Sequence, residues 1–174
     1  AEGAEAALVR QQLGEALAQH VRNEFNIPGL QLGLRYEGSP IVSMEATAPT
    51  ADQPNHYIPC ARPGSRAPHI WLDGKSIFDL FGRDYTLLCF YLDGQSEKHA
   101  DCAAWQKAAA AIGMPLEILY CDSVDAHALY GADRVLIRPD HHVAWRGDAS
   151  ADAGQLLAMA CAWDDHSAVQ LNAA

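Results

Sequence analysis

The chain has 174 residues, of which 49% are hydrophobic and 20% charged, with a formal net charge of −10 at pH 7. That balance suits a soluble globular domain with an appendage and excludes a nucleic-acid binder, which needs a basic stripe, or a partner with an anionic membrane surface. No run of about 18 apolar residues occurs, so no segment reads as a membrane span.

The first residues, AEGAEAALVR, lack the basic start and apolar centre of a signal peptide. Residue 1 is alanine and the first methionine is Met44, so the chain is expected to be a piece of a longer polypeptide. Cysteines stand at Cys60, Cys89, Cys102, Cys121 and Cys161, and no two form a C-x-x-C. The expectation is five reduced thiols in a cytoplasmic protein, with Cys89 and Cys121 acting as small hydrophobes inside apolar runs.

In chain order, Ala4 to Asn26 reads as an amphipathic helix. Val9, Leu13, Leu17, Val21 and Phe25 recur every fourth residue and form one stripe, which must dock on something because a free helix is marginal. Pro28-Gly29 closes it. Leu30, Leu32, Leu34 and Tyr36 then alternate with more polar residues, a period-two strand signal. Gly38-Ser39-Pro40 is a turn, and Thr47 to Asn55, with its two prolines, is a linker or long surface loop.

Pro59 to Gly74 is dense in turn formers and carries Arg62, Arg66 and His69. Ile70-Trp71-Leu72 is a short strand candidate, and Ser76 to Gly82 is a turn of helix or an irregular connection. Tyr85 to Leu92 is a nearly continuous apolar strand, as expected in the middle of a covered sheet. Glu97 to Ile112 is a helix with Ala100, Ala103, Ala104, Trp105 and Ala108 on its buried side. Pro115 to Cys121 is a second buried strand, and Asp122 or Ser123 caps a short helix reaching Tyr130.

Arg134 to Gly147 is a hairpin of β-formers around Pro139-Asp140-His141. A three-residue loop sets Ile137 opposite Val143 and Val135 opposite Trp145, these four on one face and Leu136 and Ala144 on the other. His141 falls where the backbone turns left-handed, at a cost of roughly 1 kcal/mol or less. Ser150 or Asp152 caps a last helix with Leu156, Leu157, Met159, Ala160 and Trp163 facing the core, and the tail from Gln170 is frayed.

From Tyr85 the order is strand, helix, strand, helix, strand, strand, helix. Strands joined by a helix are parallel and the last two antiparallel. This predicts an α/β fold: a thioredoxin-like mixed sheet of four to five strands with helices on both faces. The expected division is 1–46 as a leading helix and strand, 47–58 as linker, and 59–174 as the thioredoxin-like domain.

Thiol redox chemistry needs a low-pKa cysteine at the N-terminus of the helix after the first central strand. That place is Asp93-Gly94-Gln95-Ser96-Glu97, without cysteine, and Cys102 lies one or two turns inside the helix. His141 and His142 are adjacent, so they point apart and form no chelate; they read as a solvated turn. Asp164-Asp165-His166 reads as a solvated helix end. No G-x-G-x-x-G, P-loop, G-x-S-x-G or H-E-x-x-H occurs. No catalytic, cofactor-binding or metal-binding residue is therefore assigned. Arg62, Arg66, His69, Arg138 and Arg146 are a basic cluster in an acidic chain. They either tie the segment before the sheet to it or form an interface or anion contact.

Four segments together resemble a known family: Leu32-Gly33-Leu34-Arg35-Tyr36 with Gly38-Ser39-Pro40; Arg62 to His69, RPGSRAPH; Asp79-Leu80-Phe81-Gly82; and Leu136-Ile137-Arg138-Pro139-Asp140 with Val143-Ala144-Trp145-Arg146. They resemble the C-terminal part of FAD-dependent aromatic-ring hydroxylases, in the group of phenol, 3-(3-hydroxyphenyl)propionate and polyketide hydroxylases. His141 departs from that pattern, which usually has glycine there. The resemblance implies a parent enzyme that uses NAD(P)H to reduce FAD and then O₂ to hydroxylate a phenol-like substrate. It also implies a C-terminal thioredoxin-like domain without redox cysteines, following the last helix and strand of the flavin domain. Its partner would be the upstream flavin domain, with a homodimer as a further expectation. The alternative is a stand-alone module holding an acidic partner or small anion.

Overall fold

A computed structural model describes the chain at residues 3–91, 98–148 and 150–162. The expectations for Asp93 to Glu97, for the side chain of Ala100, for Trp163, for Asp164 to His166 and for the tail lie outside the described residues. Two compact units emerge: residues 1–34 with 50–58, and residues 35–49 with 59–174.

In the first unit, α1 spans Ala4–Phe25, 22 residues without a single buried one. The stripe is present and exposed: Val9, Leu13 and Leu17 at 56%, Val21 at 50% and Phe25 at 69%. The strand expected from Leu30 is a correction. Pro28–Leu32 is instead a short helix, α2, with proline in its first turn, where the missing N–H costs nothing. Leu30 and Gln31 each donate to the Ile27 carbonyl, so local helical bonds replace the ladder that period two suggested. Residues 50–58 close over this turn: Gly29 N–H donates to the Pro54 carbonyl, and Asn55 Nδ2 caps the Asn26 carbonyl at 2.7 Å. A side chain at residue 29 would collide with the Gln53 carbonyl.

The second unit is built on a four-stranded mixed sheet. Its strands are β3 (Tyr85–Phe90), β4 (Leu116–Cys121), β5 (Arg134–Ile137) and β6 (Val143–Gly147), in the order β4-β3-β5-β6. As the connections require, β3 and β4 are parallel, while β5 is antiparallel to both β3 and β6. Trp71–Leu72 (β1) does not join them; it pairs with Lys75–Ser76 (β2) in a separate ribbon. β4 is a correction too: it is an edge strand, half-exposed along most of its length rather than buried.

Helices cover both faces. On one side lie α3 (Ile77–Leu80) and α5 (Val124–Tyr130), and on the other α4 (Lys98–Ala111) and α6 (Ala153–Ala160). Ser123 and Asp152 are the caps of α5 and α6, and Gly131 ends α5 in the left-handed conformation glycine favours. The first core joins Leu88, Phe90, Val135, Ile137 and Val143 to Ile77, Phe81 and Tyr130. The second joins Leu87, Cys89, Leu136, Ala144 and Trp145 to Cys102, Trp105, Ala109 and Leu157. On α4 the buried positions are Cys102, Trp105 and Ala109, whereas Ala103 and Ala104 face outward. The bulky tryptophan, not the alanines around it, sets which side of the helix turns inward.

The hairpin is half as expected. Ile137 stands opposite Val143, but Leu136 rather than Val135 stands opposite Trp145, because a bulge shifts the register. Val135, Ile137 and Val143 share one core and Trp145 joins Leu136 and Ala144 in the other. A bulge places two residues against one, so alternation fails at that point.

Candidate functional site

The outer edge of β6 is covered rather than open. Gly64 N–H donates to the Val143 carbonyl, Val143 N–H to Ser65, Ala67 N–H to His141 and Ser43 N–H to Ala144. Gly64 has φ +89° and faces Tyr36 so closely that a Cβ would lie 3.2 Å from its backbone. Only glycine fits there without strain. This clasp brings Arg62, Arg66 and His69 to the sheet that carries Arg138 and Arg146.

The five basic residues do not converge on one point. Arg62 and Arg146 meet at Glu45, which the sequence had not singled out. Arg146 Nε donates to Glu45 Oε1 at 2.7 Å, and Arg62 Nη1 to Oε2 at 3.0 Å. Arg62 also donates to Thr47 Oγ1 and to the Thr47 carbonyl, and Arg146 to the Tyr130 carbonyl at 3.0 Å. Arg138 is bidentate on Asp140 at 3.2 and 3.1 Å and lies over the Tyr36 ring. Arg66 lies over the Phe78 ring, 4.8 Å from its centre. His69 shares a hydrogen bond of 3.0 Å with Ser76 Oγ, the α3 cap. The signal for Glu45 was indirect: gathered guanidinium groups need a counter-charge.

The turn itself is solvated, with Pro139 and Asp140 exposed, but the two histidine rings are half-buried against aromatic neighbours. His141 has φ 61°, as the turn demands, and its ring stacks on Phe78 with centroids 5.1 Å apart. His142 packs on Tyr36 at 4.7 Å. The turn closes because Asp140 accepts from His142 N–H at 3.1 Å. Burial alone would raise the Asp140 carboxyl, but its hydrogen bonds with Arg138 and His142 and their nearby charges hold it below the usual range. Burial, with the Arg66 charge second, holds the His141 imidazole below its ordinary value. The neutral ring is thus the form the fold favours. Stability from this residue is complete above the unfolded value near 6.5 and is lost as pH falls through it. His141→Asn keeps a residue that tolerates positive φ and removes the titration. The urea midpoint of the wild type should fall more steeply than that of the variant between pH 7 and pH 5; parallel slopes would refute the assignment.

Two open grooves border this region. One of about 270 Å³ is lined by Tyr36, Met44, Glu45, Thr47, Arg62 and Pro63. The other, of about 500 Å³, lies between Trp71, Leu80, Tyr120 and Ser123. In the first, Glu45 and Arg62 already satisfy each other. Among the described residues no group of three His, Cys, Asp or Glu could hold a metal ion. No described helix is long and apolar enough to cross a membrane.

Residues 60–166 match the family model for the C-terminal region of aromatic-ring hydroxylases. The chain belongs to that family. The chain is 34% identical over 144 residues to the FAD-dependent monooxygenase apdD of Emericella nidulans, spanning 78% of this chain and 23% of that protein. It is 31% identical over 166 residues to aklavinone 12-hydroxylase RdmE of Streptomyces purpurascens, covering 87% of this chain and 30% of that one. Among solved structures, RebC with bound 7-carboxy-K252c superposes with a TM-score of 0.76 at 36% identity, over 94% of this chain and 30% of RebC. The chain thus spans about a quarter of the length of the curated relatives it matches.

A dinucleotide pyrophosphate takes the free amides of a glycine-rich strand-to-helix turn. The turns into α3 and α5 are closed by their own Ser76 and Ser123 side chains, which accept from Phe78 and Ala126 N–H.

Proposed function

We propose that this chain is the accessory C-terminal domain of an FAD- and NAD(P)H-dependent aromatic monooxygenase, with an interface role and no catalytic residue of its own. The observation that carries this is the exposed stripe of α1. A helix that buries nothing is marginal alone in water, and an apolar stripe from Val9 to Phe25 calls for a covering surface. Relatives extend far beyond the matched region, and the upstream flavin domain of the same polypeptide is the partner proposed for it. The division into a leading piece through residue 46, a linker at 47–58 and a thioredoxin-like domain from 59 belongs to the same proposal, as does a cytoplasmic location. The internal pairing of Arg62, Arg138 and Arg146 with Glu45 and Asp140 favours anchoring over a free anion site.

The test uses the full-length parent. Leu13→Asp with Leu17→Asp should cut retained flavin at least tenfold, while the same pair in this chain leaves the urea midpoint of the second unit unchanged. Full flavin retention in the double variant would overturn the docking role. The purified chain should be colourless, and a stoichiometric yellow flavin would contradict the assignment.

A further inference from the structure

On the α4 side of the sheet, Tyr120 of β4, Cys89 of β3 and Arg134 of β5 stand side by side in register. Cys102 comes down on this row from α4. Its Sγ lies 2.9 Å from Cys89 Sγ, and both residues are only 1% exposed. No disulfide joins them. The Tyr120 hydroxyl also hydrogen-bonds to Cys102, and Tyr120 itself is 40% exposed. Arg134, buried at 1%, is held by the Phe90 and Asp133 carbonyls and places its charge near Cys89. The fold thus assembles two thiols, a phenol leading outward and a buried guanidinium in one place. None of these has a part in the docking role.

We propose that Cys89 and Cys102 form an oxidisable dithiol site, which peroxide converts to a disulfide clamping α4 to β3. Closing the pair to a bond of about 2.05 Å needs a movement of roughly 0.9 Å, within reach of side-chain rotation and a small helix shift. The chemistry balances with hydrogen peroxide as oxidant. The Cys102 sulfur attacks the peroxide O–O bond, giving a sulfenic acid and one water. The Cys89 sulfur then displaces the sulfenic oxygen, which leaves as a second water, and the S–S bond forms. Two electrons and two protons pass from the thiols to peroxide. The site differs from a C-x-x-C centre because neither sulfur sits at a helix N-terminus. Cys102 lies inside α4, and Cys89 is in the middle of the sheet. The partner thiol, then burial, push the Cys89 thiol well above its ordinary value, which the Arg134 charge only partly offsets. Among the described residues the titratable or charged neighbours are Cys102, Tyr120 and Arg134. The Cys89 thiolate is therefore scarce, and with both sulfurs buried the oxidation is a slow event rather than a turnover step.

Trypsin places each of the five cysteines in a different peptide, with Cys89 in 84–98 and Cys102 in 99–107. After exposure of the chain to hydrogen peroxide and alkylation of remaining thiols in denaturant, mass spectrometry should find these two peptides joined. That pair should exceed any other pairing at least tenfold and disappear on treatment with dithiothreitol. Its rate should rise from pH 7 to 9, following thiolate. The oxidised chain should melt roughly 5 °C higher than the reduced one. Cys102→Ser should abolish the joined pair, and the wild-type peptide map decides the matter even if that variant fails to fold. Alkylated 89 and 102 alongside oxidised Cys60 or Cys161 would overturn the proposal, as would 89 or 102 joined to any other cysteine.

Discussion

Trp105→Ala is expected to destabilise the second unit by about 4 kcal/mol. Trp105 is 1% exposed on α4, and its ring lies 5.3 Å from that of Trp145 on β6 at a 33° tilt. Its neighbours in that core are Leu87, Met114, Leu136 and Leu157, from three strands or loops and α6. Truncation removes the largest side chain on the buried face of α4, and a row of rigid strand residues cannot collapse into the space. The aromatic pair adds to the loss beyond its area. Urea titration followed by circular dichroism gives the measurement. Trp105→Phe should recover more than half of the loss. Trp71→Ala serves as the contrast, because Trp71 is 66% exposed and its removal should stay within about 0.5 kcal/mol. A Trp105→Ala loss below about 1.5 kcal/mol would mean that α4 is not held by this face.

Glu45→Ala is expected to lower stability by about 2–3 kcal/mol. The carboxylate is the shared acceptor of two arginines, through Arg146 Nε at 2.7 Å, Arg62 Nη1 at 3.0 Å and Arg146 Nη2 at 3.3 Å. Its side chain is 25% exposed, and those of Arg62 and Arg146 are 12% and 24%. Each is therefore screened less than a surface pair but not cut off from water, and the estimate sits below that for a fully buried network. Removing Glu45 also leaves two guanidinium groups facing each other. Glu45→Gln keeps one acceptor oxygen and should lose about half as much. A double-mutant cycle with Arg146→Met isolates the coupling, expected above about 1 kcal/mol. Additive losses would show that Glu45 acts through its backbone alone.

The basic cluster shows how far a sequence carries such a site. Arg62, Arg66, His69, Arg138 and Arg146 were legible as a group because excess positive charge in an acidic chain stands out. Their partners were not. Glu45 lies 17 residues before Arg62 and 101 before Arg146, in a stretch with no periodic signal, so only the folded clasp brings them together. Phe78 read as part of an ambiguous turn, yet it carries Arg66 on its ring and His141 in its stack. The Cys89–Cys102 contact was hidden for the same reason. A spacing of 13 residues across a strand, a connection and a helix fixes no distance.

Local chemistry decided much by itself. Apolar runs and turn residues gave β3, the β5–β6 hairpin and its left-handed His141, and the helices with their serine and aspartate caps. These follow from interactions within a few residues: steric limits on φ, side-chain caps and the period of burial. Tertiary structure decided the rest. It made β4 an edge, split the short strand at Trp71 into its own ribbon, and turned the alternating stretch at Leu30 into α2. It also moved Trp145 across the sheet through one bulge. In each case the strand preference was shallow, and other hydrogen bonds outweighed it: local ones at Leu30 and Trp71, and sheet pairing between segments distant in sequence at β4 and Trp145.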